Sequence, residues 1–145
     1  MNPALFFSQT EKQAIRRAVR GAEMKTSGEI RVHLERKARE PFLENAEEVF
    51  EKTGMTRTAE RNGVLIFIGL ASRRYAILGD KGIHEKVPEG FWDKIAQQMG
   101  EEFRQDRFAD GVVAAVEQIG ERLQEYFPYQ RDDVNELPDE ISYSL

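Results

Sequence analysis

The stretch from Asn62 to Leu70, with the sequence NGVLIFIGL, constrains the fold of this chain most strongly. It is apolar at both odd and even positions, so both sides of a strand formed here must be covered. An amphipathic helix would instead show apolar residues three and four positions apart. The stretch therefore predicts the central strand of a sheet that has other elements packed on both faces.

Two further segments have the character of strands. From Glu29 to Glu35 the sequence alternates, with Ile30, Val32 and Leu34 on one side and polar residues on the other. This pattern predicts a strand with one face in water. Residues 74–78 predict a third strand, joined to the central one by a short turn as a hairpin.

Four segments show helical spacing. Ser8 and Glu11 have the spacing of a capping box at the start of the first helix. A second helix opens at Pro41, and two more lie between Phe91 and Pro128. Together with three or four strands, these helices predict an α/β fold: a three-layer α/β/α sandwich with a small central mixed sheet and about four helices.

The length of 145 residues suits one domain. Its net charge of -5 is uneven, because Arg131 and five acidic residues give the last segment most of it. We therefore divide the chain into an α/β/α domain, residues 1–127, and an acidic C-terminal tail, residues 128–145. The charge and Pro138 favour a disordered tail, whereas three apolar residues could anchor it. These are Leu137, Ile141 and Tyr143.

Composition excludes several classes of function. The absence of cysteine excludes disulfides, thiolate nucleophiles and zinc-thiolate sites. The nearly neutral body, with no aromatic residues among the basic ones on the first helix, argues against nucleic acid as a partner. Neither a signal peptide nor an integral membrane segment is evident in the sequence, so a cytoplasmic protein is expected.

Acidic residues in predicted connections are the candidate metal ligands. Asp80 follows a strand, at the kind of position where open α/β sheets bind ligands, and Asp106 and Asp110 lie between two helices. Glu29, which begins the first strand, is a weaker fourth candidate. Carboxylates with carbonyls and water suit a hard cation such as calcium. The alternative is that Asp110 caps a helix and Asp106 is a turn residue.

Nothing in the sequence identifies a catalytic residue. Motifs for a nucleophilic serine, a phosphate-binding loop or a dinucleotide are missing. His33 and His84 lack zinc-site spacing, and we expect them on the surface or as residues that support a ligand without binding the metal themselves. Only metal-assisted hydrolysis is left as an enzymatic mechanism, with Arg107 and Lys81 as the basic neighbours that could hold a phosphoryl group. We therefore do not expect an enzyme.

Three segments, in this order, resemble the TPM domain family of thylakoid repair and receptor-auxiliary proteins. They are TSGEIRVHLE, RNGVLIFIGLASRRYAILGDKGI and FWDKIAQQMGEEFRQDRFADGVVAAVEQIGERL, which cover most of residues 26–123. The resemblance implies an α/β/α sandwich and a shared site at Asp80, Asp106 and Asp110. Unlike many members, this sequence shows no signal peptide or membrane anchor, so a stand-alone cytosolic version is expected.

The residues and the resemblance together lead to three hypotheses for function. The first is an accessory module that binds a divalent cation, with calcium preferred, and acts through an unidentified protein partner. The second is a weak metal-dependent phosphatase, an activity ascribed to plant relatives. The third is an interaction domain without metal, in which the tail contacts a partner or its own body.

Overall fold

A four-stranded mixed sheet forms the centre of the molecule. The computed structural model describes residues 2–129 and 141–144. The strands lie in the order β3-β2-β1-β4, with β1 parallel to β2 and β4, and β3 antiparallel to β2. Their bounds are β1 Glu29–Glu35, β2 Gly63–Gly69, β3 Arg74–Gly79 and β4 Ile141–Ser144. Every residue of β2 is buried, which confirms the predicted central strand.

Helices cover both faces of the sheet. They are α1 Gln9–Glu23, α2 Phe42–Lys52, the short α3 Lys81–His84, α4 Phe91–Phe103 and α5 Phe108–Tyr126. One core joins α1, α4 and α5 to the sheet face that carries Ile30 and Val64, and a second joins α2 to the face that carries Leu65 and Phe67. The predicted α/β/α sandwich is therefore confirmed.

Local signals fix the ends of several elements. Ser8 and Glu11 form the predicted capping box, in which the Ser8 hydroxyl accepts from the Glu11 N–H and the Glu11 carboxylate accepts from the Ser8 N–H. The antiparallel pairing of β2 with β3 confirms the predicted hairpin. These features depend on residues close together in the chain, where sequence patterns are most informative.

The expectation that the polar side of β1 faces water is wrong. Glu29, Arg31 and His33 are only 4%, 9% and 3% exposed. The reason is that β1 lies between β2 and β4 and that these side chains share a face with β2 residues of the second core. The His33 ring stacks on Phe67 with their centroids 5.7 Å apart. The alternative that His33 lies on the surface is therefore also wrong.

Four residues of the tail belong to the sheet. Ile141 is buried in the main core and Tyr143 packs against it, as expected if the tail is anchored. The Ser142 and Ser144 hydroxyls lie 2.7 Å from His33 Nδ1 and 3.0 Å from His33 Nε2. Backbone pairing and side-chain hydrogen bonds thus both join β4 to β1. Leu137, the third predicted anchor, lies outside the described residues.

Candidate functional site

Asp80 lies at the end of the sheet where β1 and β2 begin, which we call the Asp80 edge. It directly follows β3, and its N–H donates to the carbonyl oxygen of Gly63 at 2.9 Å. Because β3 runs antiparallel to β2, the end of β3 lies beside the start of β2. The rule that places ligands at the carboxyl ends of parallel strands therefore does not apply to Asp80.

Both carboxylate oxygens of Asp80 accept hydrogen bonds from its surroundings. Arg61 donates from Nε to Oδ2 at 2.6 Å and from Nη2 to Oδ1 at 2.9 Å, and the Lys81 N–H donates to Oδ1 at 2.8 Å. The hydrogen bond to Asp80 raises the pKa of Arg61. Asp80 is 7% exposed and caps α3, so its observed role is to join the end of β3 to the segment before β2.

The glycines around Asp80 allow close packing. A Cβ at Gly79 would lie 2.3 Å from Trp92 Cζ2, and one at Gly82 would lie 2.1 Å from the carbonyl oxygen of Glu60. The Gly82 N–H also donates to the carbonyl oxygen of Arg61 at 2.8 Å. Both glycines therefore have a packing role that the sequence analysis did not predict.

Glu29 shares this edge of the sheet with Asp80. It is the first residue of β1 and lies opposite Gly63, the residue whose carbonyl oxygen binds the Asp80 N–H. Its side chain is buried, as is that of Asp80. Two of the four predicted ligands thus lie at the start of the parallel strands.

Asp106 and Asp110 lie at the connection between α4 and α5, at the opposite end of the strands, which we call the Asp106 edge. Asp106 is in the turn formed by residues 104–107 and has a left-handed backbone with φ 59°. Asp110 is the third residue of α5, whereas Arg107 occupies the N-cap position, so the alternative of an Asp110 cap is wrong. Both carboxylates are exposed.

An ion pair beside these aspartates offsets one positive charge. The Arg107 Nε donates to Glu102 Oε2 at 2.5 Å and its Nη2 lies 3.4 Å from Oε1. The hydrogen bond raises the pKa of Arg107 and lowers that of Glu102, and Asp110 also contributes to the shift of Arg107. Arg107 is therefore already neutralised.

The length of the sheet separates the two pairs of acidic residues. Asp106 borders a cavity that is also lined by Gly69 and Leu70 at the end of β2, whereas Asp80 and Glu29 lie beside its start. The seven residues of β2 span roughly 20 Å at the usual rise of a strand. The structure therefore does not bring all four together. Among residues 2–129 and 141–144, no three acidic or histidine side chains form a metal-binding group.

A cavity lies at the Asp106 edge of the sheet. Its volume is about 580 Å³, and four partly buried aromatic side chains lie along it: Phe6, Tyr75, Phe103 and Phe108. Three arginines also line it, namely Arg73, Arg74 and Arg104. The sequence did not predict a role for these residues. The turn ASRRYA directly after the central strand was the available signal.

His84, the second histidine, is exposed as predicted. Its Nδ1 accepts a hydrogen bond from Trp92 Nε1 at 3.0 Å. It lies in α3, close in sequence to Asp80 and away from the aspartates of the other edge.

No helix within the described part of the chain has the length and apolar character needed to cross a membrane.

Comparison with known proteins agrees with this architecture. The solution structure of BA42 from the psychrophilic bacterium Bizionia argentinensis is similar at 40% identity, with 96% of each chain covered and a TM-score of 0.88. An N-terminal domain from P. gingivalis has 18% identity over 88% of this chain and 85% of its own, with a TM-score of 0.64. A comparison with curated proteins finds no match.

A third solution structure shares the fold. The N-terminal domain of the cg2496 protein from Corynebacterium glutamicum has 15% identity, covers 81% of this chain and 74% of its own, and has a TM-score of 0.59. At this identity and at 18%, the likeness concerns the fold alone. The TPM domain model matches residues 1–122, which is most of the chain. The chain therefore belongs to the TPM domain family.

Proposed function

We propose that this protein is a non-enzymatic TPM module that binds a divalent cation, with calcium preferred, at the turn between α4 and α5. We further propose that it acts as an accessory to a protein partner. The observation that carries the cation proposal is that Asp106 and Asp110 are exposed on one connection, where Glu102 already neutralises Arg107. Two carboxylates, backbone carbonyls and water together suit calcium.

The surroundings of the other two predicted ligands favour the Asp106 edge. Arg61 and a backbone N–H already bind both oxygens of Asp80, and a cation there would have to displace these donors. Glu29 is buried at the same edge. Two exposed carboxylates give weak binding, and we expect a Kd of about 10⁻⁴ to 10⁻³ M.

Calorimetric titration with calcium tests this proposal. The wild type should release or absorb heat with a millimolar midpoint, and an Asp106→Asn, Asp110→Asn double variant should lose that response. The matched control is Glu117→Gln, farther along α5, which should bind as the wild type does. A double variant that still binds calcium like the wild type would remove this turn from the proposal.

A second candidate is a weak metal-dependent phosphomonoesterase. It is favoured by Arg73 and Arg104, which line the same cavity as Asp106 and could hold phosphoryl oxygens while a metal there activates water. Hydrolysis of a generic phosphate ester should then require the metal and fall in both Asp106→Asn and Arg104→Ala. A residual rate that is equal in the wild type and both variants indicates a contaminant.

A further inference from the structure

We propose that the cavity at the Asp106 edge binds an acidic peptide segment of a partner protein and buries one apolar side chain of that segment. We call it the arginine-rimmed cavity, after Arg73, Arg74 and Arg104, which line it. This inference rests on the proposed accessory role and names the chemistry of the partner. It does not depend on cation binding.

The first support is a row of aromatic rings along the cavity. The centroids of Tyr75 and Phe103 are 5.3 Å apart, those of Phe103 and Phe108 are 5.3 Å apart, and those of Phe108 and Phe6 are 5.1 Å apart. All four residues are only partly buried, so the row still offers apolar surface. Such surface favours a leucine or phenylalanine side chain from a ligand.

The position of Tyr75 depends on a glycine in α4. A Cβ at Gly100 would lie 1.8 Å from the Tyr75 hydroxyl oxygen, so only glycine allows the ring to lie where it does. The Tyr75 ring in turn contacts Phe103 edge to face. The helix and the hairpin thus fix one end of the aromatic row, which gives the ligand a preformed surface.

The second support is the charge around the cavity. Arg74 is paired with Glu40 and lies over the Phe42 ring at 4.5 Å. Arg73 and Arg104 are exposed, and neither has an ion pair with any residue in the part of the chain that the structure describes. Against them the cavity lining contains the single carboxylate of Asp106. The resulting positive charge is complementary to carboxylates.

The arrangement of these groups favours a peptide over a single small anion. Arg73 precedes β3 and Arg104 follows α4, so the two guanidinium groups come from different elements. A peptide with acidic residues on both sides of an apolar one can reach both arginines and cover the rings. Inorganic phosphate would leave the rings uncovered, and a fatty acid has only one carboxylate.

The cation proposal predicts how calcium affects this site. Asp106 belongs to the cavity lining, and its negative charge repels an acidic ligand. A cation bound at Asp106 would reduce that repulsion, so calcium should tighten peptide binding and the peptide should tighten calcium binding. When EDTA removes the calcium, the arginines still attract the peptide. Peptide binding can therefore be tested separately from cation binding.

Fluorescence anisotropy with a labelled peptide tests the inference. The probe has two acidic residues on each side of one phenylalanine, and the matched probes carry lysine for the acidic residues or serine for the phenylalanine. In EDTA at low salt the acidic phenylalanine probe should bind best. Arg73→Glu and Arg104→Glu should each weaken it by about tenfold. Arg17→Glu, an equal charge change on an exposed position of α1, should have no effect.

Several outcomes would overturn the inference. Equal binding of the serine probe would show that no apolar side chain is buried, and an equal loss in Arg17→Glu would show that only net charge matters. Binding to phosphatidylglycerol vesicles or inorganic phosphate, with no binding to the acidic probe, would assign the cavity to a different ligand. Peptide binding in EDTA without any effect of calcium would retain this inference and count against the cation site.

Discussion

At the scale of single residues, two aspartates predicted for one site have opposite surroundings. Asp80 is buried and accepts hydrogen bonds from Arg61 and the Lys81 N–H, whereas Asp106 is exposed on a turn. A buried carboxylate that already accepts hydrogen bonds contributes to stability, and an exposed one is available to a ligand. The same substitution should therefore have different effects at the two positions.

We predict that Asp80→Asn lowers the free energy of unfolding by about 1 to 3 kcal/mol, because the charged hydrogen bonds to Arg61 are lost. Asp106→Asn is the matched control and should change it by less than about 0.5 kcal/mol, as is usual for exposed residues. Urea denaturation measures both values. A larger loss in Asp106→Asn than in Asp80→Asn would reverse these assignments.

At the scale of elements, β4 is joined to β1 through a buried histidine. The serines of β4 contact both ring nitrogens of His33, and Glu35 lies 3.1 Å from Nε2. Burial lowers the pKa of His33, and Arg31 lowers it further, against an opposing effect of Glu35. The attachment of β4 should therefore respond to acid.

We predict that stability falls as the pH drops below about 6.5, the ordinary pKa of histidine. The unfolded chain protonates His33 more readily than the folded chain does, because the pKa of His33 is lower in the folded state. The contribution of His33 to the free energy of unfolding is therefore complete above that pH and is lost as the pH falls toward the pKa of the folded state. His33→Gln should flatten the profile between about pH 5 and 7. Glu102 has a lowered pKa and affects only more acidic conditions.

Removal of β4 should change the titration of His33. Deleting residues 141–145 takes away Ser142 and Ser144 and opens one side of β1 to water. We predict that the titration midpoint of His33, followed by NMR, then rises toward the ordinary value. An unchanged His33 midpoint would contradict the pairing of β4 with β1.

At the scale of the whole molecule, the sequence predicts those features of the fold that depend on residues close together in the chain. The apolar run of β2, the capping box at Ser8 and the hairpin to β3 all depend on local patterns and are confirmed. The polar side of β1 has a clear alternation, but its burial depends on elements distant in sequence: β2 and, at His33, β4, which follows more than a hundred residues later. Alternation within a strand shows which residues share a face of the sheet, but it does not show which elements cover that face.

The candidate site was less predictable for the same reason. The distance between Asp80 and Asp106 depends on the antiparallel direction of β3, which places them at opposite edges of the sheet. The arginine-rimmed cavity combines Phe6, the β2–β3 turn and the α4–α5 connection, which are distant in sequence. Spacing along the chain therefore indicated the acidic residues but not their grouping.

We propose that this domain binds its ligands at the edge that carries Asp106 and Asp110. Calcium titration followed by backbone amide NMR shifts of the full chain tests it most directly. We predict shifts concentrated in residues 104–111, with a millimolar midpoint and little change in residues 79–83. Shifts concentrated around Asp80 and Glu29, or no saturable shifts at millimolar calcium, would contradict the account.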